Sequence, residues 1–469
     1  MKAIRNLFLL ALAYFCPGAT NNAAAFSSDV VPYIQDKVLP LARRQLIAYQ
    51  FGEMLELDTN RGTTYTASRY IRLNLPYAPL QEGVAPAGES MTLQQVSATA
   101  QQWGDSVTIS DVANLTVFHP VFQQACQLVA LQVSETLERN TLNALMSGVQ
   151  VNYVNGRANR AALMAGDVLS PHEVNRVVGS LLTYGAPRFM GDENEDMVIE
   201  ADAYRDPSKS PAAMPHYVAM LHPLVSQDMR ENSTISTAWS YSDVNRLYNN
   251  ELGAWGGCRF VESNMIPYFT GVAAISGTAG TSGSLATATY YIQVTAAPAL
   301  TSVEQNIYQV SAGVAVTGPS GSVSVTLPTL AGYVFNVYIG TTTSPTNLGL
   351  CALGPTTGTL AGQATQLAGN QTVIITGIGT AQTPPAAPAT GVTVYPTFII
   401  GNHAYGQVIL ENPEFNYLTG ADKSDRLNQL RVVSWKCFYG TILLNQGFFA
   451  RIEGASAFSA NFNAGTITS

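Results

Sequence analysis

The most restrictive feature of this sequence is a long segment with almost no charge. Residues 271–394 contain one charged side chain, Glu304, although the whole chain has 23 Lys and Arg and 31 Asp and Glu. The segment is rich in Gly, Thr, Ser, Ala and Val. A change in composition of this size predicts a domain boundary at each end of the segment.

Short runs of alternating apolar residues predict the structure of this segment. Three such runs are Tyr290-Ile292-Val294, Val323-Val325-Leu327 and Tyr333-Phe335-Val337-Ile339. Alternation with a period of two is typical of strands that face a core on one side, and Gly- and Pro-rich turns separate these runs. We therefore predict an inserted all-β sandwich of the immunoglobulin or fibronectin type III kind. A stiff proline-rich linker over residues 383–388 follows it.

The flanking segments predict a long hairpin. Residues 63–75 and 91–109 have strand character, and the stretch between them is rich in turn-forming residues. An isolated two-stranded arm is marginal in water, and its open edges invite pairing with another chain. The pattern therefore favours a chain that assembles with a partner.

Two helices are predicted in the flanking segments. The second extends from Pro171 to Tyr184, with Ser170 as its N-cap and Glu173 as the partner of a capping box. The first runs from Pro120 to Ser147 and carries an apolar stripe at helical spacing, made of Phe122, Cys126, Val129, Val133, Leu137 and Ala144. These elements together predict an α+β protein.

Charge and cysteine spacing exclude several classes of protein. The net charge is −8 and no basic run exists, which does not suit a protein that binds nucleic acid through its phosphates. The five cysteines have no CxxC spacing, so we predict free thiols buried as small apolar side chains. Outside the N-terminal stretch, no segment approaches the length of about 18 apolar residues that spans a bilayer.

Residues 1–25 allow two interpretations. Lys2 and Arg5 precede an apolar run from Leu7 to Cys16 and then small residues, which is the layout of a secretory signal peptide. The alternative is an apolar N-terminal arm that packs on a neighbouring subunit.

No motif in the sequence indicates catalysis or metal binding. His119 and His222 each precede a proline, which is typical of a turn or a helix start, and His216 lies six residues from His222, a spacing unsuited to one helix face. The acidic run at 192–196 lacks the glycine of a calcium loop. Nucleophile-elbow, phosphate-loop and dinucleotide-binding patterns are missing too. We therefore predict that the chain is not an enzyme and binds no cofactor or metal.

Six phrases occur in a fixed order along the charged segments. They are Leu80–Pro86, Gln102–Asp105 with Ile109–Asp111, Val151–Tyr153 with Asn155–Gly156, Leu221–Pro223 with Asp228–Arg230, Gly257–Ser263, and Trp435–Lys436 with Tyr439–Gly440. In this order the phrases resemble the major capsid proteins of tailed bacteriophages, in the family of the N-four-like podophage coat proteins. The resemblance covers about residues 30–270 and 395–455.

The resemblance implies the Hong Kong 97 (HK97)-type capsid fold, which the immunoglobulin-like sandwich predicted from the alternating runs would interrupt. The chain would then divide into five parts. They are an N-terminal arm (1–57), an E-loop β-hairpin (58–112), a peripheral domain with the spine helix and the first part of the axial domain (113–270), the inserted β-sandwich (271–394), and a return to the capsid core (395–469).

The resemblance also implies candidate subunit contacts. Glu82 and Gly83 lie at the hairpin tip, where glycine permits a turn and the glutamate could pair with an arginine of a neighbour. Arg69 and Arg72, in the hairpin strand, could pair with acids across a subunit boundary. A solvated surface position is the alternative for all four. Trp103 is expected to pack within the arm more than to form a contact hot spot.

The function implied by the resemblance is structural. A coat protein of this family assembles into hexamers and pentamers, in the host cytoplasm, as the icosahedral head shell of the virion. It encloses double-stranded DNA without sequence-specific binding and does not bind a membrane. Its expected partners are copies of itself, a scaffolding protein, a portal and a cement protein. The alternatives are a secreted or cell-surface binding protein with an immunoglobulin-like adhesive module, and a secreted hydrolase.

Overall fold

The structure is a computed structural model that describes residues 47–58, 60, 62–75, 88–116, 121–189, 215–234, 250–298, 303–330, 332–344, 348–353, 367–418 and 429–459. It contains four α-helices and many strands in this part of the chain, so the α+β prediction is confirmed. The residues form two compact units. The first holds the described residues up to 144 and between 403 and 445, and the second holds the described residues between 145 and 402 and from 446 onwards.

The helices are α1 (Asp111–Thr116), α2 (Val121–Met146), α3 (Pro171–Thr183) and α4 (Pro223–Glu231). The strands are β1 (Glu53–Glu56), β2 (Thr64–Tyr70), β3 (Leu93–Thr99), β4 (Gln101–Ser110), β5 (Val151–Tyr153), β6 (Tyr217–Leu221), β7 (Glu251–Trp255), β8 (Cys258–Glu262), β9 (Phe269–Val272), β10 (Gly277–Leu285), β11 (Ala288–Pro298), β12 (Asn306–Tyr308), β13 (Val314–Val316), β14 (Gly321–Thr326), β15 (Tyr333–Gly340), β16 (Gly349–Leu353), β17 (Leu367–Ala368), β18 (Thr372–Ala381), β19 (Thr393–Ile400), β20 (Tyr405–Leu418), β21 (Leu430–Leu443) and β22 (Phe449–Ala455).

The first unit is built on a four-stranded sheet in the order β1-β20-β21-β4. Helix α2 packs on this sheet through the predicted apolar stripe. Cys126, Val129, Val133 and Leu137 form one cluster with residues of β20 and β21, including Trp435. The predicted helix is confirmed to within one residue of its C-terminal bound, because a stripe at helical spacing can only be buried by a helix.

The predicted hairpin is present but shorter than expected. Strands β2 and β3 pair antiparallel from Thr64 opposite Thr99 to Tyr70 opposite Leu93. The prediction that residues 91–109 form one strand of the hairpin is wrong, because the chain leaves the hairpin at the buried Ala100 and continues as β4. Strand β4 pairs with β21 instead, where its side chains face a different core.

The second unit is organised around β19. This strand pairs with β22 along one edge, and with β9 and then β6 along the other. Strand β8 runs parallel to β6 and is almost completely buried at Cys258, Phe260 and Val261. Helices α3 and α4 contribute apolar residues to the same core cluster.

The uncharged segment folds as antiparallel strands around its own apolar core. The three alternating runs form parts of β11, β14 and β15, and their inward residues are buried together, with Phe335 fully enclosed. The sandwich class itself stays a prediction. The segment is also joined to its host: β12 pairs parallel with β9, which is a neighbour of β19.

The proline-rich stretch after the segment differs from the predicted stiff linker. Pro384 and Pro388 are buried, and Ala387 packs against the cluster around Phe269. A Cβ atom added at Gly271 would lie 2.4 Å from the carbonyl oxygen of Pro388. The stretch is therefore packed against β9 in close backbone contact.

The backbone of helix α3 begins where the sequence predicts, but the predicted side-chain capping does not form. Ser170 is the N-cap and Pro171 the first helical residue, yet the Ser170 side chain makes no capping hydrogen bond. Glu173 points elsewhere, because it accepts a hydrogen bond from the Asn155 amide at 3.2 Å and pairs with Arg176 at 2.7 Å. The predicted capping box is therefore wrong.

Candidate assembly surface

The hairpin is anchored at its root. Tyr65, Val96 and Ala98 alternate along β2 and β3 and pack on the core cluster of Leu55 and Ile442. Beyond Ala67 the alternation stops, and both faces of the hairpin become exposed. Among the described residues, only the root of the hairpin is therefore covered by the rest of the chain.

Large apolar side chains collect at the distal end of the hairpin. We call this group the hairpin patch, and it consists of Tyr70, Ile71, Leu73, Leu75, Met91 and Leu93. Leu75 is 85% exposed and Tyr70 is 67% exposed. Scattered apolar residues on a surface are normal, but several large ones exposed at one end of an arm indicate a candidate interaction site.

Polar hydrogen bonds link the two sides of the hairpin as far as the hairpin patch. Gln94 accepts hydrogen bonds from Arg69 Nε at 2.9 Å and Nη2 at 2.7 Å. Further out, Glu89 Oε1 accepts from the Asn74 backbone amide at 3.0 Å and from its side chain at 2.6 Å. These pairs hold the patch on an extended two-stranded arm.

The predicted contact residues have different surroundings in the structure. Arg69 is bound within its own chain, because it also donates to Asn445 Oδ1. Arg72 is exposed and lies two residues beyond the end of β2, so its predicted place in the strand is wrong. Glu82 and Gly83 lie outside the described residues. Trp103 donates from Nε1 to the Tyr439 carbonyl oxygen at 3.3 Å and packs on its own sheet.

Buried ionic groups were missed by the sequence analysis, and one of them lies in the second unit around Glu453. Glu453 of β22 is fully buried and accepts from Arg160 at 2.6 and 2.7 Å. The Nε atom of Arg451 lies 3.0 Å from the same carboxylate. Phe269 stacks beneath Arg160, with the guanidinium carbon 3.7 Å from the ring centre. Burial lowers the pKa of Arg451, while the Glu453 carboxylate opposes that change.

His222 caps the start of helix α4. Its Nδ1 atom accepts the Leu224 amide proton at 3.3 Å at the start of α4, so the predicted helix start is confirmed. The ring stacks on Tyr395, with the ring centres 4.7 Å apart. Burial lowers the pKa of His222 from 6.5 to about 4. The neutral ring is therefore part of the folded structure near neutral pH.

Acid should weaken the second unit through His222. The pKa of His222 is lower in the folded state than in the unfolded state. The contribution of the neutral ring to the free energy of unfolding is therefore complete above about pH 6.5 and is lost as the pH falls toward 4. We expect the free energy of unfolding to drop by about 1–2 kcal/mol more in the wild type than in His222→Asn, whose side chain caps without titrating. Urea unfolding at pH 7 and pH 4.5 measures this difference. The exposed His172→Asn is the control, and equal pH dependence in wild type and His222→Asn would contradict the prediction.

Other chemistry is sparse in the described part of the chain. Cys126, Cys258 and Cys437 are buried and unpaired, as predicted for those three positions, and burial raises the pKa of each thiol. Among the described residues, no group of three or more His, Cys, Asp or Glu is arranged to hold a metal ion. None of the helices described above combines the length and apolarity of a membrane span.

Comparisons with known proteins give matches among solved structures only. No protein-family model matches the sequence, and no curated protein matches it. The capsid of cyanophage Pam1 aligns with a TM-score of 0.48 and 9% identity over 86% of this chain and 89% of that chain. The capsid of cyanophage P-SCSP1u aligns with a TM-score of 0.43 and 11% identity over 94% and 93%. The capsid of Ralstonia phage GP4 aligns with a TM-score of 0.44 and 8% identity over 86% and 87%.

All three are phage capsids. At 8–11% identity, no residue of this chain takes a role from those structures.

Proposed function

We propose that this chain is the major capsid protein of a tailed bacteriophage, which assembles into hexamers and pentamers to form the head shell around the DNA. The observation that carries the proposal is the hairpin with its uncovered apolar end. A side chain such as Leu75 gains about 1.5–3 kcal/mol when it moves from water into an interface. Repetition of that contact in every subunit makes assembly strongly favourable.

The architecture of the first unit fits this role. A 26-residue helix packs on a sheet whose two central strands, β20 and β21, are each 14 residues long. This unit is a rigid base for the hairpin, which is held at Tyr65, Val96 and Ala98. A rigid base and an extended arm together allow each subunit to reach over a neighbour. The proposed role is mechanical, without catalysis.

The remaining parts of the proposal concern partners and surfaces. Scaffolding, portal and cement proteins are the proposed partners besides copies of the chain itself. Arg72 is the proposed polar contact at the hairpin patch, since it is exposed beside Ile71 and Leu73. The uncharged segment is proposed to be an immunoglobulin-like module on the outer surface of the shell. The net charge of −8 suits a container that does not bind the enclosed DNA tightly.

Particle size tests the proposal directly. The full chain is expressed in the cytoplasm with and without a candidate scaffolding protein from the same genome, and the product is measured by light scattering and negative-stain imaging. Closed shells, tubes or isolated hexamers are the expected products. A stable monomer under both conditions would overturn the proposal and would favour the less supported alternative, a secreted binding protein.

A single charge in the hairpin patch should block assembly. We expect Leu75→Asp to reduce the yield of assembled particles at least ten-fold, because a carboxylate cannot be buried unpaired at an apolar contact. Circular dichroism and the urea midpoint of the monomer should stay unchanged, since Leu75 is exposed.

The matched control is Ile378→Asp, which places the same charge at an exposed position of β18 in the uncharged segment. This variant should assemble like the wild type. Normal particles from Leu75→Asp would show that the hairpin patch is not an assembly contact.

A further inference from the structure

The turn that follows β5 contains a chemically labile pair of residues. Asn155-Gly156 is the only Asn-Gly pair in the sequence. Both residues have a positive φ, 55° at Asn155 and 65° at Gly156, and the Arg157 amide donates to the Val154 carbonyl oxygen at 3.3 Å. These are the features of a type I′ turn, for which Asn and Gly are preferred central residues. The backbone conformation is therefore sufficient reason for this pair to be present.

An Asn-Gly pair can lose its side-chain amide without a catalyst. The Gly156 nitrogen attacks Cγ of Asn155, so that a new C–N bond forms and the Cγ–Nδ2 bond breaks. The proton of the Gly156 amide leaves with Nδ2 as ammonia, and water then opens the cyclic imide to aspartate or isoaspartate. Glycine has no side chain to hinder the attack, and both residues are exposed to water.

Two buried carboxylates hold Asn155 in its turn. Its Nδ2 donates to Asp167 Oδ1 at 2.8 Å, and its backbone amide donates to Glu173 Oε1 at 3.2 Å. Asp167 is 3% exposed and Glu173 is 4% exposed. Arg157 donates from Nε to the other oxygen of Asp167 at 2.8 Å. These bonds close residues 155–167 into a loop, which we call the Asn155 loop.

The folded geometry opposes the conversion at each stage. With ψ of 27° at Asn155, the Gly156 nitrogen is nearly eclipsed with the Asn155 nitrogen, so the ring to Cγ cannot close until this bond rotates. The Asp167 carboxylate accepts a proton of Nδ2, whereas the departure of ammonia requires one to be supplied. The attacking nitrogen must also lose its proton, and the two carboxylates disfavour negative charge there.

We propose that Asn155 is a site of gated deamidation, which converts only when the Asn155 loop opens and which prevents the loop from closing again in the same way. The conversion puts a carboxylate oxygen where Nδ2 donated to Asp167, so repulsion replaces a hydrogen bond. The loop also carries Arg160, the partner of Glu453, so the change reaches the buried ion pair. The site lies in the second unit and does not depend on the proposed function.

The rate of conversion tests the gate. The full chain is incubated at pH 8, folded or unfolded in urea, and mass spectrometry with chromatography measures aspartate and isoaspartate in the peptide containing Asn155. We expect conversion at least about ten-fold slower in the folded chain, because a hydrogen bond to a charged group must open first. Equal rates, or no conversion in the unfolded chain, would overturn the proposal, and this comparison needs only the wild type.

Two variants test the role of Asp167 in the gate. Asp167→Asn, folded, should convert at least about three-fold faster than the folded wild type, because the charged acceptor is lost. Asp105→Asn, at an exposed position of β4 in the first unit, is the control and should keep the wild-type rate. The wild-type rate in a folded Asp167→Asn would overturn the role of Asp167.

The effect of the product on the loop is tested with Asn155→Asp. Hydrogen exchange of peptides from the Asn155 loop should show about ten-fold less protection than in the wild type. The matched control is Asn159→Asp, which adds the same charge to the same loop. Its side-chain oxygen accepts the Ala162 amide at 3.0 Å and can do so as an aspartate, so protection should stay within about two-fold. Equal protection in the two variants would overturn the proposed loss of closure.

Discussion

Replacing Glu453 with Gln should destabilise the second unit by about 3–5 kcal/mol, the cost typical of breaking a buried ion pair. The Glu453 carboxylate is contacted by both Arg160 and Arg451, and all three side chains are less than 10% exposed. An amide has one acceptor oxygen and no charge, so two buried guanidinium groups would be left without a counterion. Repacking offers little relief, because Arg160 is held over the Phe269 ring.

The measurement is urea unfolding of the full chain, followed by the fluorescence or circular dichroism of the second unit. The matched control is Glu414→Gln, which removes an acid from the exposed pair with Lys436 and should leave the midpoint unchanged. A loss of less than about 1 kcal/mol in Glu453→Gln would show that the two arginines find other partners.

Truncating Phe335 should unfold the uncharged segment at much lower denaturant. Phe335 is fully buried in the core between β11, β14 and β15, and Phe→Ala substitutions at such positions cost about 3–5 kcal/mol through lost burial and the cavity left behind. The segment has few alternatives for filling that space, because the surrounding residues are mostly small β-branched side chains.

Hydrogen exchange resolved by peptide distinguishes a local effect from a global one. We expect peptides of β11, β14 and β15 to lose protection first in Phe335→Ala, whereas peptides of α2 keep theirs. Ile378→Ala, at an exposed position of the same segment, is the control and should cost less than about 0.5 kcal/mol. Equal loss of protection across both units would contradict a separate core for the segment.

Elements with a strong local period were predictable from the sequence. The apolar stripe from Cys126 to Leu137 predicted helix α2, and the alternation from Tyr333 to Ile339 predicted strand β15. In these elements the periodicity that the sequence shows is the same one that burial requires. The local pattern His222-Pro223 was equally reliable, because a helix starts there.

Long-range pairing was not predictable in the same way. Strand β3 ends and β4 begins around Ala100 because β4 pairs with β21, more than 300 residues away. The strand character of the sequence continues through that point, so nothing local marks the change of sheet. The same limit applies to β12, whose three residues form a strand because β9 lies beside them.

The buried charges were missed for a related reason. Arg451 and Glu453 alternate with Ala450 and Ile452 along β22, which predicts a strand with one face in water. The structure buries both faces, and the polar one is satisfied by Arg160 from a distant part of the chain. Glu138 had a weak signal, since Ser134, Glu138 and Thr141 form a polar stripe beside the apolar one, which a buried helix would need to satisfy.

The pairing of β12 with β9 determines how the uncharged segment responds to a load. A module tied to its host by two flexible tethers swings freely, and a pull on it stretches only the tethers. Here a pull on the segment passes through the β12–β9 ladder into β19, and from there into β22 and β6. A graft that replaces the segment with foreign cargo must therefore supply a strand for β9, or that edge of the host sheet is left open.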